Sequence, residues 1–225
     1  MLHIAEAVLC QTATVLLLQG AELVMPKWSI LVSTTPKRYN NCFLKIIFHL
    51  EKLVGDKPIE IIGLFDNYYT GTGSKRNSII ATAQGEYISF VDDDDWVDDS
   101  YVEKIWEAIC QNPGADSIYF NTLVKKPDGS SQEVRYDHTL PQDHKFFYDS
   151  EGRSQSVLKV PFTCAWRTSI VRDIPFEDTR SQDIAWARLA NKRISKFVYI
   201  EDPLYIYNFD IRKSEAKDLE EKVGL

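Results

Sequence analysis

From Trp28 onward, apolar and polar residues fall in blocks whose period changes in a regular order. Ser29, Ile30, Leu31 and Val32 form a short run suited to a buried strand, and a polar stretch, 33–41, follows it. Phe43, Ile46, Ile47, Leu50 and Leu53 recur at helical spacing, with Gly55 placed to end the helix before Pro58. Residues 59–65 read as a second strand, so continuously apolar that the pattern predicts cover on both faces. A Gly- and Thr-rich loop over 68–74 comes next, then a short helix over 75–84 closed by Gly85 and an apolar strand over 87–91. Val102, Ile105, Trp106 and Ile109 predict another amphipathic helix, ended near Asn112-Pro113-Gly114 and followed by a strand at 117–120. Strand and helix alternating in this way predict an α/β fold around a mostly parallel sheet.

The second half reads differently. Pro127-Asp128-Gly129 marks a hairpin turn, and 137–156 is polar and aromatic without a period, which predicts a loop that contacts a second substrate. A helix over 184–191 and a strand over 196–200 close the pattern, and no internal repeat is present. At the other end, residues 7–24 are largely apolar but interrupted by Gln11, Thr12, Gln19 and Glu22, with no Lys or Arg ahead. That run lacks the positive flank of a secretory signal and falls short of the roughly 20 clean apolar residues of a membrane span. It is either a helix packed on the domain or on a partner, or a leader upstream of a natural start at Met25. The second is favoured because the first strand begins just after Met25. The expected organisation is an extension at 1–24 and one domain over 25–225, with no transmembrane span.

The length of 225 residues, at 44% hydrophobic and 12% aromatic content, supports one substantial core. The net charge of −7 argues against a broad polyanion-binding surface. Cys10, Cys42, Cys110 and Cys164 form no CxxC pair and no metal-finger spacing, which fits reduced thiols and a cytoplasmic location. His3, His49, His138 and His144 match no ligand pattern, and Trp166 reads as core.

The densest chemistry is Asp92-Asp93-Asp94-Asp95, directly after the apolar strand. Carboxylates this close are tolerable in a partly dry site only if some are protonated or a hard cation lies among them. A helix-loop-helix calcium site fails, because Trp96 stands where an oxygen ligand is needed and Val97 where the turn needs Gly. Asp98, Asp99 and Ser100 suit the start of the next helix. In an open α/β sheet ligands gather beyond the carboxyl ends of the strands, so Ser33, Thr34, Asp66 and the four aspartates should converge there.

Ser29 to Thr34, the 61–67 strand end, Lys75-Arg76-Asn77, the run from Gly85 to Trp96, and Gln182-Asp183 together resemble the family 2 glycosyltransferases of GT-A fold. Their wording is similar to that of short bacterial and phage members, and the resemblance runs from about Trp28 to Tyr207. It implies a single domain with a mostly parallel, Rossmann-like sheet flanked by helices. Residues 25–120 would form the nucleotide-sugar half and 121–225 the acceptor half. It further implies that Ser33, Thr34 and Asp66 hold the nucleoside, a carboxylate suiting uracil N3–H or ribose hydroxyls. Lys37, Arg38, Lys75, Arg76 and Asn77 would meet the donor, guanidinium suiting phosphate oxygens. Asp94 with Asp92 would hold Mn²⁺ or Mg²⁺, while Asp92, Asp93 and Asp95 line or support the donor site. Asp183 would be the base that takes the acceptor's proton, and Gln182 stands where the family commonly has Glu.

The activity so implied is inverting, metal-dependent transfer of a sugar from a nucleotide diphosphate sugar, UDP-linked by preference, to a hydroxyl. The acceptor stays open among a glycan, a cell-wall polymer, a lipid-linked sugar, a protein and a modified DNA base, as does the oligomeric state. The alternatives are a non-catalytic nucleotide-sugar or divalent-cation-binding module, and a nucleotidyltransferase. The last is disfavoured because 33–41 contains no Gly for a phosphate loop.

Overall fold

A computed structural model describes residues 25–136, 161–179 and 181–208; the 1–24 extension and the 137–156 loop lie outside the described residues. The first elements in chain order are β1 (Trp28–Thr34), α1 (Leu44–Val54), β2 (Ile59–Phe65), α2 (Thr72–Thr82), β3 (Tyr87–Phe90) and β4 (Trp96–Val97). They are followed by α3 (Tyr101–Gln111), β5 (Ser117–Lys125), β6 (Ser131–Val134), β7 (Ala165–Arg167), α4 (Thr168–Val171), α5 (Gln182–Asn191) and β8 (Phe197–Asn208).

Among the described residues, eight strands form one sheet of order β2-β1-β3-β7-β5-β8-β4, with β6 paired to β5. β1, β2, β3, β5 and β8 share one direction, and β4, β6 and β7 run against it. The period-two alternation of the strands divides the core. Trp28, Ile30 and Val32 of β1 face α1 and α3, packing with Ile46, Leu50, Tyr101, Val102 and Ile105. Leu31, Ile88, Phe90 and Tyr119 face the other way, onto Ile79 and Ile80 of α2 and Trp186 of α5. Each large side chain so covered contributes on the order of 1.5–3 kcal/mol. Where an aromatic carries a polar atom inward it finds a partner. Trp28 Nε1 and the Tyr101 hydroxyl both donate to Ser89 Oγ, at 2.9 and 3.2 Å.

Several expectations hold with shifted bounds. Gly55 ends α1 at φ +55°, a conformation that favours glycine, and a turn of π-helix (Tyr39–Phe43) precedes that helix. The hairpin forms where Pro127-Asp128-Gly129 predicts it, Lys125 pairing with Ser131. α2 begins three residues earlier than its apolar spacing suggests. β8 extends well past Ile200, because Glu201 and Asp202 are bypassed by a register shift against β5 that accommodates Pro203. Asn121 fills that irregularity, its Nδ2 donating to Glu201 O at 2.7 Å. The expectation for β2 needs correction: it is the sheet's edge strand, half-covered at most positions, with Phe65 48% exposed. Asp98, rather than Ser100, organises the start of α3, its Oδ1 accepting both the backbone N–H and the hydroxyl of Ser100. Those bonds hold the Asp98 carboxyl below its ordinary value. Trp166 lies in the core as expected.

One close approach sets where the aspartates emerge. A Cβ on Gly85 would stand 2.5–2.7 Å from Ser29 Oγ, Ser29 N and Trp28 C, so only Gly lets the chain return from α2 across β1. Gly85 N donates to Ser29 Oγ at 2.8 Å, and β3 then runs to Phe90 and the acidic loop.

Candidate active site

Parallel pairing of β1 with both β2 and β3 brings Thr34, Asp66 and Asp92 to Asp95 to one end of the sheet, as the strand-end rule predicts. Burial alternates through the acidic run: Asp93 and Asp95 point inward, while Asp92 and Asp94 keep side-chain exposures of 31% and 22%. Thr34 Oγ1 donates to Asp93 Oδ2 at 2.6 Å, and Arg38 Nη1 donates to Asp93 Oδ1 at 2.7 Å. The same nitrogen lies 3.0 Å from Asp94 Oδ2. On the other flank Arg76 Nη2 donates to Asp92 Oδ1 at 2.7 Å. Positive charge thus reaches the run from two arginines of this chain, a source that weighing only protons and metal ions overlooks. Even so, burial pushes the Asp94 carboxyl up to about 6, Arg38 opposing the rise and Asp92 and Asp93 adding to it. Asp93 is raised by burial too, against Arg38 and Thr34.

Asp95 has a different neighbourhood from its three predecessors. Its Oδ2 accepts the Tyr205 hydroxyl at 2.8 Å and its Oδ1 accepts Asn208 N at 2.9 Å. Asp92 N donates to the Tyr205 oxygen at 3.1 Å, and Asn208 Nδ2 donates to Asp94 O at 3.0 Å. The end of β8 therefore clasps the acidic loop, and the Asp95 carboxylate is spent on that clasp rather than turned toward a ligand. Burial holds its carboxyl well above the ordinary value, with Asp92 and Asp94 reinforcing. Tyr205→Phe leaves Asp95 Oδ2 and Asp92 N without this partner in a buried setting. It is expected to cost about 1–3 kcal/mol, measured as a lower urea midpoint at unchanged slope. An unchanged midpoint would show that the clasp carries no weight.

α2 supplies the next groups. Lys75 is buried with its Nζ 3.2 Å from Asp66 Oδ1, and Asp66 Oδ2 accepts Thr70 N at 3.0 Å. Arg76 is 7% exposed, which excludes a solvated helix residue; its guanidinium lies 4.5 Å from the centre of the Phe162 ring. Asn77 bonds the backbone of Phe176 through both amide atoms, which ties α2 to the segment before α5. Ser33 is half-buried on β1, and Lys37 is exposed with its N–H donating to the Tyr68 hydroxyl at 3.2 Å.

Asp183 stands in the first turn of α5. Burial raises its carboxyl, the charge of Arg76 opposing and that of Asp92 adding to the rise. Asp183 is therefore within electrostatic reach of Arg76 and Asp92. Gln182 beside it is buried at 7% exposure, and its amide has no acidic proton to share with Asp183. Among the described residues no three His, Cys, Asp or Glu side chains converge as a ready-made metal centre. The two outward carboxylates, Asp92 and Asp94, instead fit a hard cation whose remaining ligands are substrate oxygens, the usual arrangement for Mg²⁺-type ions. Tyr205 and Asn208 are site residues that sequence reasoning missed; each lies more than a hundred residues from its partner, and no local motif marks it.

The family model described as Glycosyl transferase family 2 matches residues 45–175. The chain belongs to that family. The match includes Asp66, Lys75, Arg76 and Asp92 to Asp95, and leaves Thr34, Arg38 and Asp183 outside it. No curated protein matches the chain. Among solved structures, this family 2 domain is similar to S. aureus TarS 1-349 in complex with UDP-GlcNAc. The TM-score is 0.61 at 15% identity, covering 84% of this chain and 60% of that one. It covers 36% of a longer TarS chain, at a TM-score of 0.57 and 16% identity. It is also similar to glucosyl-3-phosphoglycerate synthase from Mycobacterium tuberculosis in complex with Mn²⁺, uridine-diphosphate-glucose and phosphoglyceric acid. There the TM-score is 0.52 at 9% identity, with 86% of this chain and 74% of that one covered. At such identities the likeness is one of fold, here the GT-A arrangement of a single mixed α/β domain. Among the described residues of the family 2 domain, no helix is long and apolar enough to cross a membrane.

Proposed function

We propose that this chain is an inverting, metal-dependent glycosyltransferase that moves a sugar from a nucleotide diphosphate sugar, UDP-linked by preference, to an acceptor hydroxyl. The observation that carries the proposal is an outward carboxylate pair, Asp92 and Asp94, each held by an arginine at one end of the sheet, with Asp183 within electrostatic reach of Arg76 and Asp92. Family membership supports the reaction class. The donors held by the TarS and synthase structures, and the Mn²⁺ of the latter, support the choice of donor and ion.

In this reading Asp66, steadied by Lys75 and the Thr70 N–H, offers a carboxylate to the base or ribose of the nucleoside, with Ser33 and Thr34 beside it. Arg38 and Arg76, which hold Asp93 and Asp92, would offer guanidinium to the diphosphate, with Lys37 assisting. Asp94 and Asp92 would hold the divalent ion, which when bound supplies positive charge against the departing diphosphate. Asp183 accepts the hydroxyl proton as the acceptor oxygen bonds to C1 from the face opposite the leaving group. The C1–O bond to the diphosphate breaks, and its electron pair leaves with the nucleotide. A raised carboxyl is better matched to proton transfer near neutral pH than an ordinary aspartate.

The test is nucleotide release by the purified chain over a panel of nucleotide diphosphate sugars, with and without Mn²⁺. Release from at least one donor, stimulated by Mn²⁺ and by an acceptor hydroxyl, is expected. Donor binding without release across the panel would instead identify a non-catalytic binding module.

A further inference from the structure

Residues 174–179 run between α2 and α5 and are fastened to both. On the α2 side, Asn77 Nδ2 donates to Phe176 O, and Phe176 N donates to Asn77 Oδ1, both at 2.8 Å. One turn earlier on the helix, Ser74 donates to the Asp178 carboxylate through its backbone N, at 3.0 Å, and its hydroxyl, at 2.5 Å. Two glycines clear the seat for this contact. A Cβ on Gly71 would overlap the Asp178 carboxylate, and one on Gly73 would lie 2.5 Å from Glu177 O.

On the α5 side, the Phe176 ring stacks on Trp186 with centroids 4.8 Å apart and planes at 5°, and Trp186 Nε1 donates to Ile174 O at 3.0 Å. Trp186 is one turn beyond Asp183 on the same helix. Arg76, one residue before Asn77, lies 5.4 Å from the centre of the Phe176 ring. The segment thus joins the helix that carries Arg76 to the helix that carries Asp183. Asp178 itself is exposed, so the core does not depend on its carboxylate.

We infer that Asp178 and Asn77 are positioning residues, which strap 174–179 to α2 and so fix where α5 presents Asp183 to Arg76 and Asp92. The consequence for rate rests on the glycosyltransferase reading; the strap itself does not. A misplaced base slows the chemical step and leaves donor binding alone.

Asp178→Asn removes the charge, and Gly71→Ala expels the carboxylate by volume at a backbone φ of −64° that alanine adopts freely. Both are expected to lower kcat about tenfold with donor KM changed by less than about twofold. Combined with Asp183→Asn, Asp178→Asn is expected to slow the reaction no further, since it acts through that residue. Additive slowing in the double variant, or a raised KM at full kcat, would overturn the role. Amide hydrogen exchange over residues 182–186 is expected to quicken about tenfold in both variants, whether or not the chain turns over. Unchanged exchange defeats the strap, whereas a wild type that releases nucleotide from no donor defeats only the catalytic reading.

Discussion

Asp183→Asn is expected to leave a folded chain whose nucleotide release at saturating donor and acceptor is slower by about 10²–10⁴-fold. The amide keeps the size of the side chain and its place in the first turn of α5 but cannot take a proton. Donor KM is expected to stay within about a factor of two, because the loss falls on the chemical step alone. The wild-type pH profile provides a second check. As the proposed base, Asp183 would work only when ionised, so kcat is expected to fall as pH drops through its pKa, and burial moves that acid limb above the ordinary aspartate range. Arg76→Gln removes the opposing charge and should move the limb higher still. Folding supplies a control: because the native carboxyl is raised, its ionisation works against the native state, and the Asn variant should melt no lower than wild type at pH 7.5. Wild-type kcat in the variant would take Asp183 out of the reaction.

Asp94→Asn should separate stability from activity. The native carboxyl lies at about 6 against an ordinary value of 3.8, so between those values the folded chain holds a proton that the unfolded chain has released. Stability from this group is therefore fully present at low pH and is lost as pH rises through about 6, on the order of 3 kcal/mol in all. Asparagine has no proton to lose and leaves Arg38 its bond to Asp93. The variant is expected to melt several degrees above wild type at pH 7.5, to gain less on acidification, and to lose Mn²⁺-stimulated release at least about a hundredfold. Wild type should gain stability from Mn²⁺ at pH 7.5 and far less at pH 5, where proton and cation compete for the same oxygens. A variant that melts lower at pH 7.5, or that keeps its response to Mn²⁺, would remove Asp94 from the proposed ion site. A site that is held ionised at a cost to the fold is the usual mark of function taking precedence over stability.

The alternation of apolar blocks made the central strands and the helices legible, because β1, β3 and the start of β5 are covered on both faces and carry little else. The same cue misjudged β2, since a continuous apolar run looks alike in the middle of a sheet and at its edge; only the strand order distinguishes them. In the site, what is local was legible: the acidic run, the basic pair on α2 and the acid that opens α5. What joins them was not. Asp95 meets Tyr205 across 110 positions and Ser74 meets Asp178 across 104, and neither Tyr nor Asp carries a pattern that announces such a partner. For the same reason the sequence did not show that Asn77 and Asp95 also hold other parts of the chain. Side-chain chemistry tells what a residue is able to bind, and only geometry tells which bond it has already made.

The clasp at the end of β8 has a consequence for biosynthesis. A ribosome delivers the elements from β1 to α3 before β8, yet Asp95 and the Asp92 amide receive their partners from Tyr205 and Asn208, at the end of β8. A nascent or C-terminally clipped chain ending before Tyr205 can close the first three strands, but its acidic turn stays unsupported. Donor capture should therefore switch on only once β8 has emerged, after the strands that would bind the nucleoside have already found one another.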